Sequence, residues 1–123
     1  MKLDRTRKGD GPIVSGLSAS GFRVDDGIYP ALLLTPKRAD GWSPPAFETL
    51  DVAALTDILD IEPGPEFLLL GTGASLRQPA RALVRALDAR GLGIEAMDSR
   101  AAARAWGVLR DEGRWIVGAF YPL

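Results

Sequence analysis

The stretch FLLLGTGASLRQPARALV, Phe67 to Val84, holds the residues best placed for chemistry. An apolar run enters a turn containing Gly71, Thr72, Gly73 and Ser75, and a helical pattern follows. Loops that cradle phosphate begin in this way. The dinucleotide fingerprint, however, needs G-x-G-x-x-G with a helix opening at the loop, so that its amides meet the pyrophosphate. Here Leu76 stands where the third glycine belongs, and Pro79, the expected first helical residue, removes an amide donor. The P-loop pattern G-x-x-x-x-G-K-[ST] also fails, because no lysine follows Lys37. Ser75 is a conceivable nucleophile, but G-x-S-x-G breaks at Arg77 and no S-x-x-K pair occurs. The residues favour a structural loop, in which Gly71 and Gly73 supply positive-φ turns and close backbone passage after a buried strand. No nucleotide is expected. The alternative is a small-molecule or anion site, with weak enzymatic activity at most, in the 71–78 loop.

The residue types that are missing narrow the chemistry further. The chain has no Cys, no His and no Asn, and its single Gln is Gln78. Disulfides and thiolate nucleophiles are excluded, as is ordinary zinc, copper or haem ligation. With His gone, Ser-His and Cys-His catalysis are excluded too. No catalytic residue, metal or cofactor is expected. The acid pairs Asp25/Asp26, Asp57/Asp60 and Asp111/Glu112 read as turn and solvent groups rather than a converging carboxylate site.

Charge is unevenly distributed. From Ala39 to Leu76 there are seven acids and no base; from Arg77 to Arg114 there are eight arginines and five acids. Arg77, Arg81 and Arg85 recur at i, i+4, as do Arg100 and Arg104 on the following helix. If both helices cover one sheet face, these rows join into a basic surface for an anionic lipid, RNA or an acidic protein. A solvated helix face with pairs such as Arg85–Asp88 is the plainer alternative. No aromatic residues interleave with the arginines and the net charge is −1, which together argue against nucleic acid.

The elements that would position these residues belong to a chain of 123 residues, long enough for one core. Residues 1–11 read as a flexible tail and 12–123 as a single α/β domain. Phe22 and Val24 alternate into a hairpin with Asp26-Gly27 at its turn, and Ile28–Thr35 returns as a strand that Pro30 places at an edge or bulge. Trp42 reads as a lid over the core. Thr49 is placed to cap a helix bearing Val52, Leu55 and Ile58/Leu59. Glu66–Leu70 is an apolar run typical of a strand covered on both faces. A helix over 79–90, closed by Gly91, then leads to strand Ile94–Met97. Together these form a βαβ unit, expected to be parallel and right-handed. Asp98 caps a third helix striped by Ala102, Ala105, Trp106 and Leu109, and RWIVGAF forms the last strand. No apolar run approaches a membrane span and no secretory signal is recognisable, so a cytoplasmic location is expected.

Several segments in fixed order carry a family resemblance: Gly21-Phe22, PALLLTP at 30–36, LLLGTG at 68–73, RGLGIEAMDS at 90–99 and VLRDEGRWIVGAF at 108–120. Over about residues 15–123 the chain resembles the adipogenesis-associated Mth-type domain family. That family includes mitochondrial respiratory complex I assembly factor 3 and bacterial proteins of unknown function. The resemblance implies a three-layer α/β domain with a mixed central sheet and a last strand antiparallel to its neighbours. It also implies no established enzymatic activity and a protein partner in membrane-protein assembly or insertion, with any membrane association peripheral. Gly107 departs from the pattern, where members often carry Asn. A polar function of that Asn does not carry over, and Gly inside a helix costs ~1 kcal/mol relative to Ala.

Overall fold

The computed structural model describes residues 11–123, so the expected tail, apart from Gly11, lies outside the described residues. Three short antiparallel strands come first: β1 (Gly16–Ser18), β2 (Gly21–Val24) and β3 (Gly27–Tyr29). Val24 pairs with Gly27, so the hairpin turn is Asp25-Asp26, one residue earlier than expected. Asp25 takes the positive φ of 52° itself. A short polar side chain tolerates that region, so Gly27 is free to start β3.

The returning strand is interrupted at Pro30 and Ala31. Tyr29 ends the small sheet, and β4 (Leu32–Leu34) starts in a second one. Proline has no N–H to offer a ladder, which makes this the natural place to change sheets. The second sheet has five strands in the order β5 (Ala39–Gly41), β4, β8 (Val117–Phe120), β6 (Phe67–Gly71), β7 (Gly93–Met97). β5 follows the expected strand Ile28–Thr35, where the sequence suggested no further element. The βαβ unit forms as expected, with β6 and β7 parallel and adjacent. The last strand, β8, runs antiparallel to β4 but parallel to β6. The expectation of an antiparallel last strand therefore holds on one side only, and β8 is the seam that makes the sheet mixed.

The helix expected after Thr49 is broken into two 3-10 turns, Phe47–Thr49 and Val52–Leu55, and a single turn α1 (Thr56–Leu59). Leu50 is extended between them, and Asp51 rather than Thr49 supplies the cap, accepting the Ala54 N–H at 3.2 Å. α2 spans Arg81–Asp88, two residues later than Pro79 suggested, because Ala80 is extended with ψ 139°. The chain leaves α2 through Gly91, as expected, at φ +74°. α3 (Ser99–Asp111) carries the expected Asp98 cap, whose Oδ1 accepts the Ala101 N–H at 2.9 Å.

Alternation along the strands assigns the two faces of the five-stranded sheet. Leu33, Leu68, Leu70, Val117 and Ala119 pack beneath the 3-10 turns, α1 and α2. Leu32, Leu34, Leu69 and Phe120 point the other way, against α3 and the small sheet. The architecture is thus three layers. Leu68, Leu69 and Leu70 are all fully buried, consistent with a strand covered on both faces. Each is worth ~1.5–3 kcal/mol of transfer from water. Trp106, on α3, is fully buried in the cluster with Phe22 and Phe120, and its indole N–H donates to the Pro12 carbonyl at 2.9 Å. Glu66, just before β6, accepts the Trp115 N–H at 2.7 Å and a hydrogen bond from the Arg114 guanidinium at 2.6 Å. Those two bonds, the backbone one first, hold its carboxyl below the ordinary range.

Candidate functional site

The glycine loop closes on itself. Thr72, 1% exposed, donates its hydroxyl to the Ser75 carbonyl at 2.7 Å and accepts the Arg77 N–H at 3.1 Å. Gly73 has φ +100°, and its N–H donates to Ser99 Oγ at 2.8 Å. Ser99 is fully buried at the start of α3; its hydroxyl donates onward to the Tyr121 carbonyl at 2.8 Å, and its N–H donates to the Gly73 carbonyl at 2.8 Å. Two amides that an anion would need, those of Gly73 and Arg77, therefore already have protein acceptors.

The two glycines divide the roles assigned to them jointly from the sequence. Gly73 supplies the positive φ, while Gly71 supplies the close passage: a Cβ there would lie 2.8 Å from Ser99 Oγ and 3.1 Å from Phe120 Cδ1. Gly71 has no positive φ, because it is still a strand residue paired with Met97 and Phe120. Ser75 is exposed, and its described contact is the carbonyl bond from Thr72.

Arg77 precedes α2 and acts as a strap. Its Nε donates to the Thr72 carbonyl at 3.2 Å, and its guanidinium sits 4.2 Å from the centre of the Phe47 ring and 3.7 Å from Glu48. Phe47 and Trp42 both meet Tyr121 edge-on, at 5.2 and 5.6 Å between ring centres. The expected lid role of Trp42 is visible here, with its indole N–H 3.4 Å from the Phe120 carbonyl. Tyr121 donates its hydroxyl to the Pro45 carbonyl at 2.8 Å. Burial pushes that hydroxyl up to about 12; Arg77 opposes the shift and Glu48 adds to it.

The remaining arginines do not converge. Arg81 and Arg85 are exposed on α2 in one outer layer, while Arg100 and Arg104 are exposed on α3 in the opposite layer. The condition for one continuous basic surface, both helices on one sheet face, is not met. Leu83 and Leu87 commit α2 to one face and Ala102 and Trp106 commit α3 to the other. Sequence reasoning missed Ser99, Phe47 and Tyr121, the residues that tie the loop down. Their local signals were a residue beside a cap and two aromatics in a proline-bordered context, and no spacing links them. No helix among the described residues is long and apolar enough to cross a membrane, and no group of acids there could hold a metal.

Comparison with known proteins adds three findings. The sequence model of a family described as a protein of unknown function (DUF498/DUF598) matches residues 14–121. A Danio rerio protein named NADH dehydrogenase (ubiquinone) 1 alpha subcomplex assembly factor 3 is 25% identical over 91% of this chain, and the chain spans 65% of that protein's length. Among solved structures, a Bordetella parapertussis protein shares 31% identity over 91% of this chain and 96% of its own, with a TM-score of 0.77. A Bordetella pertussis protein described as a Mth938-like domain shares 27% identity over 99% of this chain and 92% of its own, at 0.75.

Two predictions test the loop. Ser99→Ala strands the Gly73 N–H and the Tyr121 carbonyl without a partner, an expected loss of ~1–3 kcal/mol in urea unfolding. Gly73→Ala meets its nearest atom at 3.4 Å, so only the positive φ is penalised, by ~1 kcal/mol. No loss for Ser99→Ala, or a loss well above ~1 kcal/mol for Gly73→Ala, would contradict these roles. The second concerns pH. The folded state keeps Tyr121 protonated up to about 12, whereas the unfolded chain ionises at ~10. Its contribution is thus fully present below pH ~10 and is lost as pH rises through the folded value. The stability gap between wild type and Tyr121→Phe, measured by urea midpoints, narrows above pH ~10. A gap that stays constant to pH ~11.5 would refute the shift.

Proposed function

Because this chain belongs to the DUF498/DUF598 family, we propose that it is a non-enzymatic protein-interaction domain, residues 12–123, that helps assemble or insert membrane proteins. The observation that carries this reading is the alignment of 91% of the chain with a protein named as an assembly factor. The missing catalytic residue types and a loop whose polar groups are bonded internally support it from the chemical side. The domain works in the cytoplasm, reaching the membrane through its partner, and takes no cofactor. Its partner surface is α2, where Arg81 and Arg85 are exposed and make no ion pair with another described residue. Arg suits that role because its fork pairs with carboxylates while its stem covers apolar surface. Arg100 and Arg104 form a separate surface on the far layer.

A pull-down from membrane extract at low salt, comparing wild type with Arg81→Glu/Arg85→Glu, tests the reading. Wild type is expected to retain membrane proteins that the variant loses, with retention falling as salt rises. Recovery of the same proteins by both, with equal salt sensitivity, would reduce the arginines to a solvated face. ATP, GTP, NAD and FAD at millimolar concentration are expected to leave the Tm unchanged. A ligand at 100-fold its Kd would add ~2.7 kcal/mol, so a saturable shift would favour a ligand site in the 71–78 loop instead.

A further inference from the structure

The two edges of the five-stranded sheet are guarded differently. β5 has three residues, and its Asp40 is held by Arg38 at 2.6 Å. β7 has five, pairs with β6 without a bulge from Gly93 to Met97, and carries no proline or lysine. Short strands, charges, prolines and bulges are the usual means of blunting an edge, so β7 is the open one. One bond identifies its outward groups. The Thr72 N–H donates to the Met97 carbonyl at 2.9 Å, which sets Met97, Glu95 and Gly93 toward β6. Backbone groups alternate sides along a strand, so Ile94 and Ala96 turn their N–H and carbonyl groups away from the sheet. No described residue bonds to them there. The flanking groups are already taken: the Leu92 N–H donates to the Leu87 carbonyl and the Asp98 carbonyl accepts the Ala102 N–H, both at 2.9 Å. The open edge is therefore confined to Ile94 and Ala96. Glu95 is exposed between them on one face, and Ile94 packs on the other against the core beneath α2.

We propose that β7 is the docking edge for an extended segment of a partner protein, which adds antiparallel to the sheet with Lys or Arg opposite Glu95. Main-chain groups left open at strand spacing are met by another strand and not by a helix, whose own groups bond internally. Antiparallel pairing places Ile94 and Ala96 in hydrogen-bonded pairs. Glu95 then falls in the intervening non-hydrogen-bonded pair, where facing side chains come closest. A second copy of this chain is a poor occupant. The symmetric register that uses both open residues sets Ile94 against Ala96 of the second copy and Glu95 against its own counterpart. Like charges directly opposite destabilise such a pair. The neighbouring symmetric registers set Ala96 against Leu92 or Ile94 against Asp98, whose groups are occupied. A basic residue opposite Glu95 turns the same position from repulsion to attraction. Apolar residues opposite Ile94 and Ala96 extend the core layer beneath α2. The docking needs neither the arginines of α2 nor a membrane, so it stands or fails apart from the function proposed above.

The probe is the acetylated, amidated peptide STTVKVTTS, titrated to 2 mM into the isotope-labelled full chain and followed by NMR. In the free chain the Ile94 and Ala96 amides are expected to exchange with deuterated water about tenfold faster than those of Glu95 and Met97. The peptide shifts and protects Ile94 and Ala96, and its version with Glu in place of Lys binds about fivefold more weakly. N-methylation of its two valines, whose N–H groups meet β7, abolishes binding; N-methylation of its lysine does not. Glu95→Lys reverses the preference to the Glu peptide, a change of specificity that loss of fold cannot produce. Ala96→Pro removes an N–H that the pairing with β6 does not use, so the fold survives and binding is lost. Slow exchange at Ile94 and Ala96 in the free chain, no shift there at 2 mM, equal binding of the valine-methylated peptide, or an unchanged preference in Glu95→Lys would overturn the proposal. So would a wild-type dimer that Ala96→Pro dissociates, since the edge would then belong to a second copy.

Discussion

The structure depends on β8 being bonded on both sides. Leu32, Leu33 and Leu34 pair with Phe120, Ala119 and Gly118 on one edge, while Leu68 to Gly71 pair with Val117 to Phe120 on the other. Nothing else in the five-stranded sheet joins the N-terminal half to the βαβ unit. Its four residues are buried on both faces, in two separate clusters. The last strand of the chain is therefore the centre of the fold, and neither cluster closes until it is in place.

The glycine loop follows from that arrangement. Where β6 leaves the sheet it runs beside the end of β8 and beneath the first turn of α3, so Gly71 has no room for a Cβ and Ser99 fills the space that remains. The Ser99 hydroxyl bridges the loop to the residue after β8, and Arg77 folds back over Phe47 to hold the other side. A sequence that looks like the start of a phosphate cradle here serves to join three elements. The same strand-turn-helix grammar fits either use, because both require backbone to pass close to something. What differs is whether the amides face a ligand or a serine.

The function proposed for this family member rests on surfaces rather than on reactive groups. Arginines appear on both outer layers, while the middle segment, Ala39 to Leu76, holds acids and no base apart from Arg38 just before it. Exposed ion pairs such as Arg38–Asp40 and Arg90–Asp60 contribute little to stability, since water screens them. The charge pattern is better understood as partner selection and orientation, for which exposed charge is well suited.

The sequence by itself determined the features set by neighbours along the chain. The apolar run at 67–70 formed a doubly covered strand, Asp98 capped α3, Gly91 closed α2, and β6-α2-β7 formed a parallel unit. The absence of Cys and His excluded whole classes of chemistry before any fold was known. Local rules also erred locally: Asp25-Asp26 made the turn expected at Asp26-Gly27, and Asp51 took the cap given to Thr49. The tertiary structure alone decided which strands neighbour β8, that α2 and α3 lie on opposite faces, and that Ser99 meets Gly73 across 26 positions. The physical reason is that periodicity reports which side of an element is apolar, but not which partner covers it. That choice is made by the packing of all elements together, and it separated the two arginine rows that the sequence had offered as one surface.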